Sequence, residues 1–398
     1  MLISEVINSC ERYIIKKDYK SFDQFDALTS PLINRLTINN QLLKRISIQL
    51  IARSPIDLHF LGMKKMLHTK TISDLLSFYS LDKKKERNKE INHFFKLLIA
   101  NRLNEKYIWG LKFPYASRSI DADVTMPNLY NTTNAGISIC HAFPYLNSSN
   151  REIAKSALNG IINSLETEFS YVDEINKGWY IYYPGQKDPV YNVNALTIYL
   201  LVFIKKLALN DAIFLDNRIN SLISLLIEEQ QDNGSWYYSR SDNGKWVDGF
   251  HTGFIIESLA FAYKEGYEIK LKETLEKGWS FYINNMFTKK GYPQYFLKSR
   301  EYPIESQNCA QAIQTISNIS AWLNWEEKEL LSKVIANTIK NLYDNEGFFY
   351  YKKTKFATYK KPFFRWSTTP MMLALTYFQQ LQYSKSICNN KIFLNDKV

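Results

Sequence analysis

Residues 217–263 read NRINSLISLLIEEQQDNGSWYYSRSDNGKWVDGFHTGFIIESLAFAY. Residues 217–231 repeat apolar side chains at helical spacing and keep polar groups to one side, so they form a helix that packs one face only. Gly234 then breaks the helix, with Trp236, Tyr237 and Tyr238 close behind it. From His251 the chain is apolar nearly all round, and a helix of that composition is buried. One unit therefore consists of a charged outer helix, a glycine–aromatic turn and an apolar inner helix.

The unit recurs. GWYIYY at Gly178, GSWYY at Gly234, GYPQYF at Gly291 and GFFYY at Gly347 are separated by 56, 57 and 56 residues, and a more distant copy, GLKFPY at Gly110, stands 68 residues before the first. The inner stretches NVNALTIYLLVFI (192–204), NCAQAIQTISNISAWL (308–323) and WSTTPMMLALTYFQQL (366–381) match the opening one, and WEEKELLSKVIANTIKNLY (325–343) is a further outer helix. A helical hairpin cannot bury its apolar face alone, so such repeats stack into a solenoid or close into a ring. These inner helices are too apolar to line a solvated groove, which predicts an all-α fold, an α/α toroid of five to six hairpins. Residues 36–53, LTINNQLLKRISIQLIAR, are the expected sixth inner helix. The toroid domain is expected over 101–398, with 1–100 a helical segment packed on it or completing it.

A chain of 398 residues needs no covalent staples to be stable. Cys10, Cys140, Cys309 and Cys388 lie far apart with no metal spacing, and read as reduced thiols. Charges at Glu5, Glu11 and Arg12 interrupt any signal-peptide apolar core, and no run of 18 apolar residues occurs. The expected location is cytoplasmic, extending to the inner face of the membrane. A net charge of +11 favours anionic partners, yet the basic residues are dispersed and carry no nucleic-acid-binding signature. With 27 Tyr, 24 Phe and 8 Trp, the chain has material for stacking on rings, and an acidic glycan satisfies both biases. Neither the Asp121/Asp123 pair nor Cys309 with His251 has the further ligands a metal needs, and no phosphate or dinucleotide loop is present, so no metal or cofactor is expected.

In a ring of hairpins the loops preceding the inner helices converge at one end, and their polar residues are the site candidates. Asp248 is placed to cap the helix that follows, with His251 bonding a neighbouring backbone group. The same pair is also placed to act as a carboxylate-oriented general base. Glu305 falls at the same ring position one repeat later, which makes Asp248, His251 and Glu305 the catalytic candidates. Asn192, Asn194, Trp236, Tyr237, Tyr302, Gln311, Arg365 and Trp366 are the substrate-binding candidates. Arg365 would neutralise a substrate carboxylate, and Trp236, Tyr237 and Trp366 would stack on sugar rings.

MPNLYNTT (126–133), YNVNAL (191–196), QDNGSWYY (231–238), WVDGFHTGF (246–254), YPIESQNCAQAI (302–313) and FFRW (363–366), in this order, resemble the α/α-toroid proteins encoded in bacterial cell-surface polysaccharide clusters, within the squalene-cyclase and prenyltransferase-like superfamily. The resemblance runs from about Trp109 to the end and implies the toroid and a role in making surface polysaccharide. QDNGSW is similar to a terpene-cyclase motif, but Val124 stands where the acidic cluster of those enzymes would continue after DAD. The expected function is modification of an acidic glycan or glycolipid intermediate by epimerisation, elimination or hydrolysis. An isoprenoid-handling toroid enzyme and a non-catalytic glycan-binding or scaffold protein are the alternatives. The expected partners are an anionic glycan or lipid-linked oligosaccharide and, peripherally, membrane-bound polysaccharide machinery, not nucleic acid.

Overall fold

The computed structural model describes residues 2–386 other than 55–57, 84, 118–119 and 210–211. In chain order the helices are α1 (Ile3–Lys16), α2 (Pro31–Thr37), α3 (Gln41–Arg53), α4 (Thr69–Leu81), α5 (Asn88–Ala100), α6 (Leu129–Ala142), α7 (Ser148–Thr167), α8 (Tyr191–Lys206), α9 (Ala212–Glu228), α10 (Gly249–Lys264), α11 (Glu268–Asn285), α12 (Ser306–Leu323), α13 (Lys328–Leu342) and α14 (Thr368–Ser386). No described strand exceeds four residues. Among the described residues no helix is long and apolar enough to cross a membrane.

Six inner helices, α4, α6, α8, α10, α12 and α14, each pack on the next, and α14 packs back on α4, which closes the ring. Six outer helices, α1, α5, α7, α9, α11 and α13, surround them. Closure is bonded near both ends of the α14–α4 seam: Thr369 Oγ1 donates to Asp74 at 2.9 Å and Gln380 Nε2 to the Leu81 carbonyl at 2.8 Å. The inner helices bury nearly every side chain, as in α8 and α10, whereas α13 buries only the stripe Leu331, Val334, Ile335, Thr338 and Leu342. The fold is thus the α/α toroid that the periodicity predicts.

Residues 36–53 are not the sixth inner helix. They form the end of α2 and α3, where Thr37, Ile48 and Ala52 alone are buried, and α4 takes the inner position. α4 was hidden because Lys70, Ser73, Asp74, Ser77 and Ser80 make it read as a surface helix, although all are buried. Lys70 and Asp74 pair at 2.8 Å, Ser77 meets His141 Nδ1 at 3.2 Å and Ser80 bonds the Leu76 carbonyl, while Ser73 Oγ is buried without a partner among the described residues.

The glycine period has a physical cause. Gly234, Gly291 and Gly347 take φ values of +88°, +81° and +98°. An added Cβ would lie 2.4 Å from the Lys277 carbonyl oxygen on α11, 2.5 Å from Lys333 Cβ on α13 and 2.4 Å from the Ser9 carbonyl oxygen on α1, respectively. Each turn presses on the following outer helix, and Gly347 presses on the first one, across the closure. Gly178 departs from this set: its turn places Asn176 at φ 65° instead, and the glycine lies against Tyr171.

A second register runs with the first. Four residues after each glycine stands a tyrosine, and its carbonyl accepts the first backbone N–H of the preceding inner helix: Leu129 to Tyr182, Tyr191 to Tyr238, Gly249 to Tyr295 and Ser306 to Tyr351, at 3.1–3.3 Å. These bonds satisfy helix N-termini that would otherwise be left open and hold four tyrosines at equivalent places around one end of the ring. Gly178 shares this register even though its own turn differs.

Candidate active site

Asp248 makes the contacts that both readings of it require. Its Oδ1 accepts the His251 backbone N–H at 2.7 Å, the N-cap bond of α10, and its Oδ2 takes His251 Nδ1 at 2.7 Å. A carboxylate can only accept, so it orients the ring with Nδ1–H toward Asp248 and leaves Nε2 without a hydrogen-bond partner among the described residues. The His251 side chain is 23% exposed against 6% for Asp248, so the imidazole is reachable and its carboxylate partner is not. Aromatic edges hold the ring: Tyr238, Trp246 and Phe250 lie 4.9, 5.5 and 5.1 Å away between centroids. Tyr238 itself stacks flat on Trp246 at 4.6 Å.

Glu305 precedes α12 as Asp248 precedes α10. Burial pushes its carboxyl up to about 7; the Lys352 charge opposes this, Asp248 adds to it, and His251 opposes it. At neutral pH the group is poised between acid and carboxylate. Lys352 is its direct cross-strand partner, because Ile304–Glu305 pairs antiparallel with Lys352–Lys353. The ammonium lies 5.1 Å from the Tyr295 ring centroid and 5.7 Å from that of Tyr351, and makes no ion pair with a described carboxylate. Cation–π contact stabilises it there. Lys352 is not among the sequence candidates, yet it stands five residues after Gly347, where the other repeats place Tyr183, Ser239 and Phe296.

At the mouth, the end of the ring where the four tyrosines stand, the acidic groups lie near enough to act on the tyrosine hydroxyls. The Tyr238 hydroxyl is pushed up by burial and by Tyr182, Tyr115 and Asp248. That of Tyr295 is pushed up most by Glu305, then by burial and Asp248, and that of Tyr351 by burial, Glu305, Tyr295 and Asp23. On the far side Arg365 grips Asp23 through two bonds of 2.6 and 2.7 Å.

This last pair corrects the role read for Arg365. Its guanidinium is buried and already neutralised by Asp23, so it is not a free cation for a substrate carboxylate. Trp366 stays at the mouth, its indole N–H 3.3 Å from Asp23 and its ring edge-on to Phe25. Trp236 is not at the mouth: it is fully buried against Gly278 of α11 and donates to the Leu226 carbonyl on α9 at 2.7 Å. Tyr238, two residues on, takes the place expected of Trp236 and Tyr237, which is half-buried against the core. Asn194 accepts from the Tyr180 backbone N–H and donates to the Tyr180 and Val190 carbonyls, a structural use of a fully buried side chain that leaves no N–H for a ligand. Gln311 turns down the barrel to Glu257 at 2.8 Å, alongside Gln314, Thr315 and Asn318. Tyr302 is 36% exposed, ahead of the 304–305 strand. Asn192 and Gln307, each second in its inner helix, keep Oδ1 and Oε1 buried without a partner among the described residues.

Below the mouth, a cavity of about 50 Å³ on the barrel axis is lined by Ser73, Asp74, Asn134, His141, Glu257 and Tyr377, among others. Among the described residues no group of three or more His, Cys, Asp or Glu could hold a metal ion. Cys10, Cys140 and Cys309 are buried free thiols, and Cys388 lies outside the described residues.

No family model and no curated relative matches the sequence. Solved structures do match the fold. A sugar epimerase from a ruminal bacterium aligns with a TM-score of 0.64 at 15% identity, over 83% of this chain and 91% of that one. A GH76 alpha-mannanase of Bacteroides thetaiotaomicron aligns at 0.54 and 17%, over 81% and 86%. A polysaccharide lyase aligns at 0.57 and 10%, over 98% and 99%. At these identities the likeness is one of architecture: this chain has the α/α toroid fold of those three enzymes.

Proposed function

We propose that this protein is a carbohydrate-active enzyme that moves a proton on a sugar unit of an acidic glycan or glycolipid, by epimerisation or elimination, in the synthesis of surface polysaccharide. The observation that carries the reading is the division of labour at the mouth. Both oxygens of Asp248 are committed to His251, which leaves one reachable base, Nε2, and one poised carboxyl, Glu305. In this reading Nε2 removes the proton beside the sugar carboxylate, and Asp248 stabilises the resulting imidazolium. Lys352 offsets the charge that builds on the carboxylate. Glu305 in its acid form then returns a proton to the opposite face of the same carbon, or to the departing glycosidic oxygen. Tyr238, Trp246 and Trp366 offer rings on which sugars stack.

Hydrolysis, which ordinarily uses two available carboxyl groups, fits less well, since Asp248 is occupied. The axial cavity has Asp74, His141 and Glu257 among its lining residues, titratable groups that an isoprenoid chain would have to cover. A buried carboxyl pushed toward neutrality, close enough to a reachable imidazole to feel its charge, favours an enzyme over a scaffold protein, because perturbed groups cluster at catalytic sites.

The test is incubation with uronate-containing glycans in deuterated buffer, followed by NMR. Deuterium at the carbon next to the carboxylate without a change in chain length indicates epimerisation; a new double bond with chain scission indicates elimination. Scission giving saturated reducing ends only, or no change across a panel of acidic glycans, would refute the proton-transfer reading.

A further inference from the structure

The α2–α3 hairpin is apolar on two sides. Its inner side carries Ile33 and Ile48, which pack with Ala27, Leu28 and Ala116 into a small cluster of their own. The other side carries Leu32, Leu36, Ile38, Leu42, Ile46 and Leu50, exposed to between 44% and 69% of their surface, which is too much for side chains counted as core. Leu42, Ile46 and Leu50 recur every four residues along one side of α3, and Leu32 and Leu36 do so along α2, so the two helices present stripes and not scattered residues. Phe60, 87% exposed, stands on a turn that α2 contacts. A contiguous apolar surface of this kind marks an interaction site.

Charge selects the occupant. Residues 27–56 contain no Asp or Glu, while Arg35, Lys44, Arg45 and Arg53 lie among the exposed leucines. Lys44 bonds Asp121 at 2.7 Å, but Arg35, Arg45 and Arg53 have no carboxylate partner among the described residues. Two copies of such a surface would repel each other. An amphipathic, basic, acid-free surface matches a bilayer that contains anionic lipid, where the leucines enter the headgroup boundary and the arginines meet phosphates.

We propose that the α2–α3 hairpin is a membrane-surface anchor that docks the toroid on anionic lipid. The anchor is continuous with the mouth: a surface hollow beside it is lined by Leu42, Arg45 and Ile46 together with Phe25 and Tyr115, and Phe25 touches Trp366. Docking would bring the mouth to the level at which the sugar of a lipid-linked chain leaves the bilayer. The anchor itself does not depend on which reaction the mouth performs.

Flotation of the full chain with vesicles tests the proposal. Wild type should float with vesicles of phosphatidylglycerol and phosphatidylcholine, stay down with phosphatidylcholine alone, and be released by high salt. Leu42→Ser with Ile46→Ser, and separately Arg35→Gln with Arg45→Gln, should each lower partitioning about tenfold or more. Both double variants should keep the wild-type thermal midpoint, because the altered side chains are not in the core. If wild type ignores anionic vesicles, the proposal falls, and sedimentation velocity then separates the remaining occupants. A dimer lost in the leucine–isoleucine variant identifies a second copy of this chain, and a monomer leaves a different protein as the partner.

Discussion

At the scale of single residues, Asp248 separates a capping role from a chemical one because its two oxygens do different things. Asp248→Asn keeps an oxygen for the His251 backbone N–H but loses the charge that orients the ring. It should therefore leave the thermal midpoint nearly unchanged and cut product formation. Asp248→Ala loses both, at about 1 kcal/mol of stability for the cap. His251→Ala should lower the rate by roughly 10² to 10⁴, the range for a general base, and leave the cap bond intact. Full activity in His251→Ala would show that the pair is only a helix start. Glu305 gives a pH prediction whose sign follows from its raised carboxyl. The folded chain holds this proton more tightly than the unfolded chain, so its contribution is present below about pH 4.5 and is lost as pH rises to about 7. Glu305→Gln, neutral at every pH, should thus be more stable than wild type at pH 8, by roughly 3 kcal/mol at most, and gain nothing at pH 4. Urea titrations at the two pH values measure the difference. The sequence reaches Asp248, His251 and Glu305 because residues that start equivalent helices must share an end of the ring. It does not reach Lys352 or Tyr238, whose places depend on a cross-strand register and on counting from the glycines. It overrates Arg365 because the partner Asp23 lies 342 residues away.

At the scale of elements, the turn glycines and the interlayer aromatics carry separable loads. Gly347 and Gly185 both have positive φ, 98° and 88°, but a Cβ at Gly185 would meet nothing within 4 Å, whereas at Gly347 it would strike the Ser9 carbonyl. Gly185→Ala should cost about 1–2 kcal/mol for the backbone alone. Gly347→Ala should cost roughly 2–5 kcal/mol, since overpacking against an immovable carbonyl adds to the same strain. Equal losses in denaturant titration would show that the glycine period reflects turn conformation only, not contact between neighbouring repeats. Trp279 on α11 is 9% exposed beside Tyr282 and Trp325, so Trp279→Ala should cost about 3–5 kcal/mol by leaving a cavity between the layers, with activity per folded molecule unchanged. Helix type was legible wherever composition and burial agree. It failed at α4 and α3 for opposite reasons: α4 buries polar groups, most of them bonded inside the ring, and α3 exposes apolar groups that the other described residues leave uncovered.

At the scale of the molecule, a ring must hold its first hairpin against its last, and the strap is visible. The Asp23–Arg365 pair, the Phe364 backbone N–H to Ser21 Oγ at 3.0 Å and Thr369 to Asp74 at 2.9 Å tie the segment before α14 and its first turn to the segment before α4 and to α4 itself. A buried ion pair contributes little over an apolar replacement, but breaking one side of it strands a charge. Asp23→Asn should accordingly cost about 3–5 kcal/mol, because Arg365 stays charged in a dry setting, and Arg365→Met should cost a similar amount by stranding Asp23. Asp23→Leu combined with Arg365→Met removes both charges and should recover most of the loss. The interaction energy from this cycle, read in urea, reports directly on closure. If both single variants are as stable as wild type, the ends are held by helix packing alone. If they unfold and the double variant stays folded but loses glycan binding at the mouth, Arg365 serves the ligand as well as the strap. Recovery of both stability and activity in the double variant would confine the pair to closing the ring.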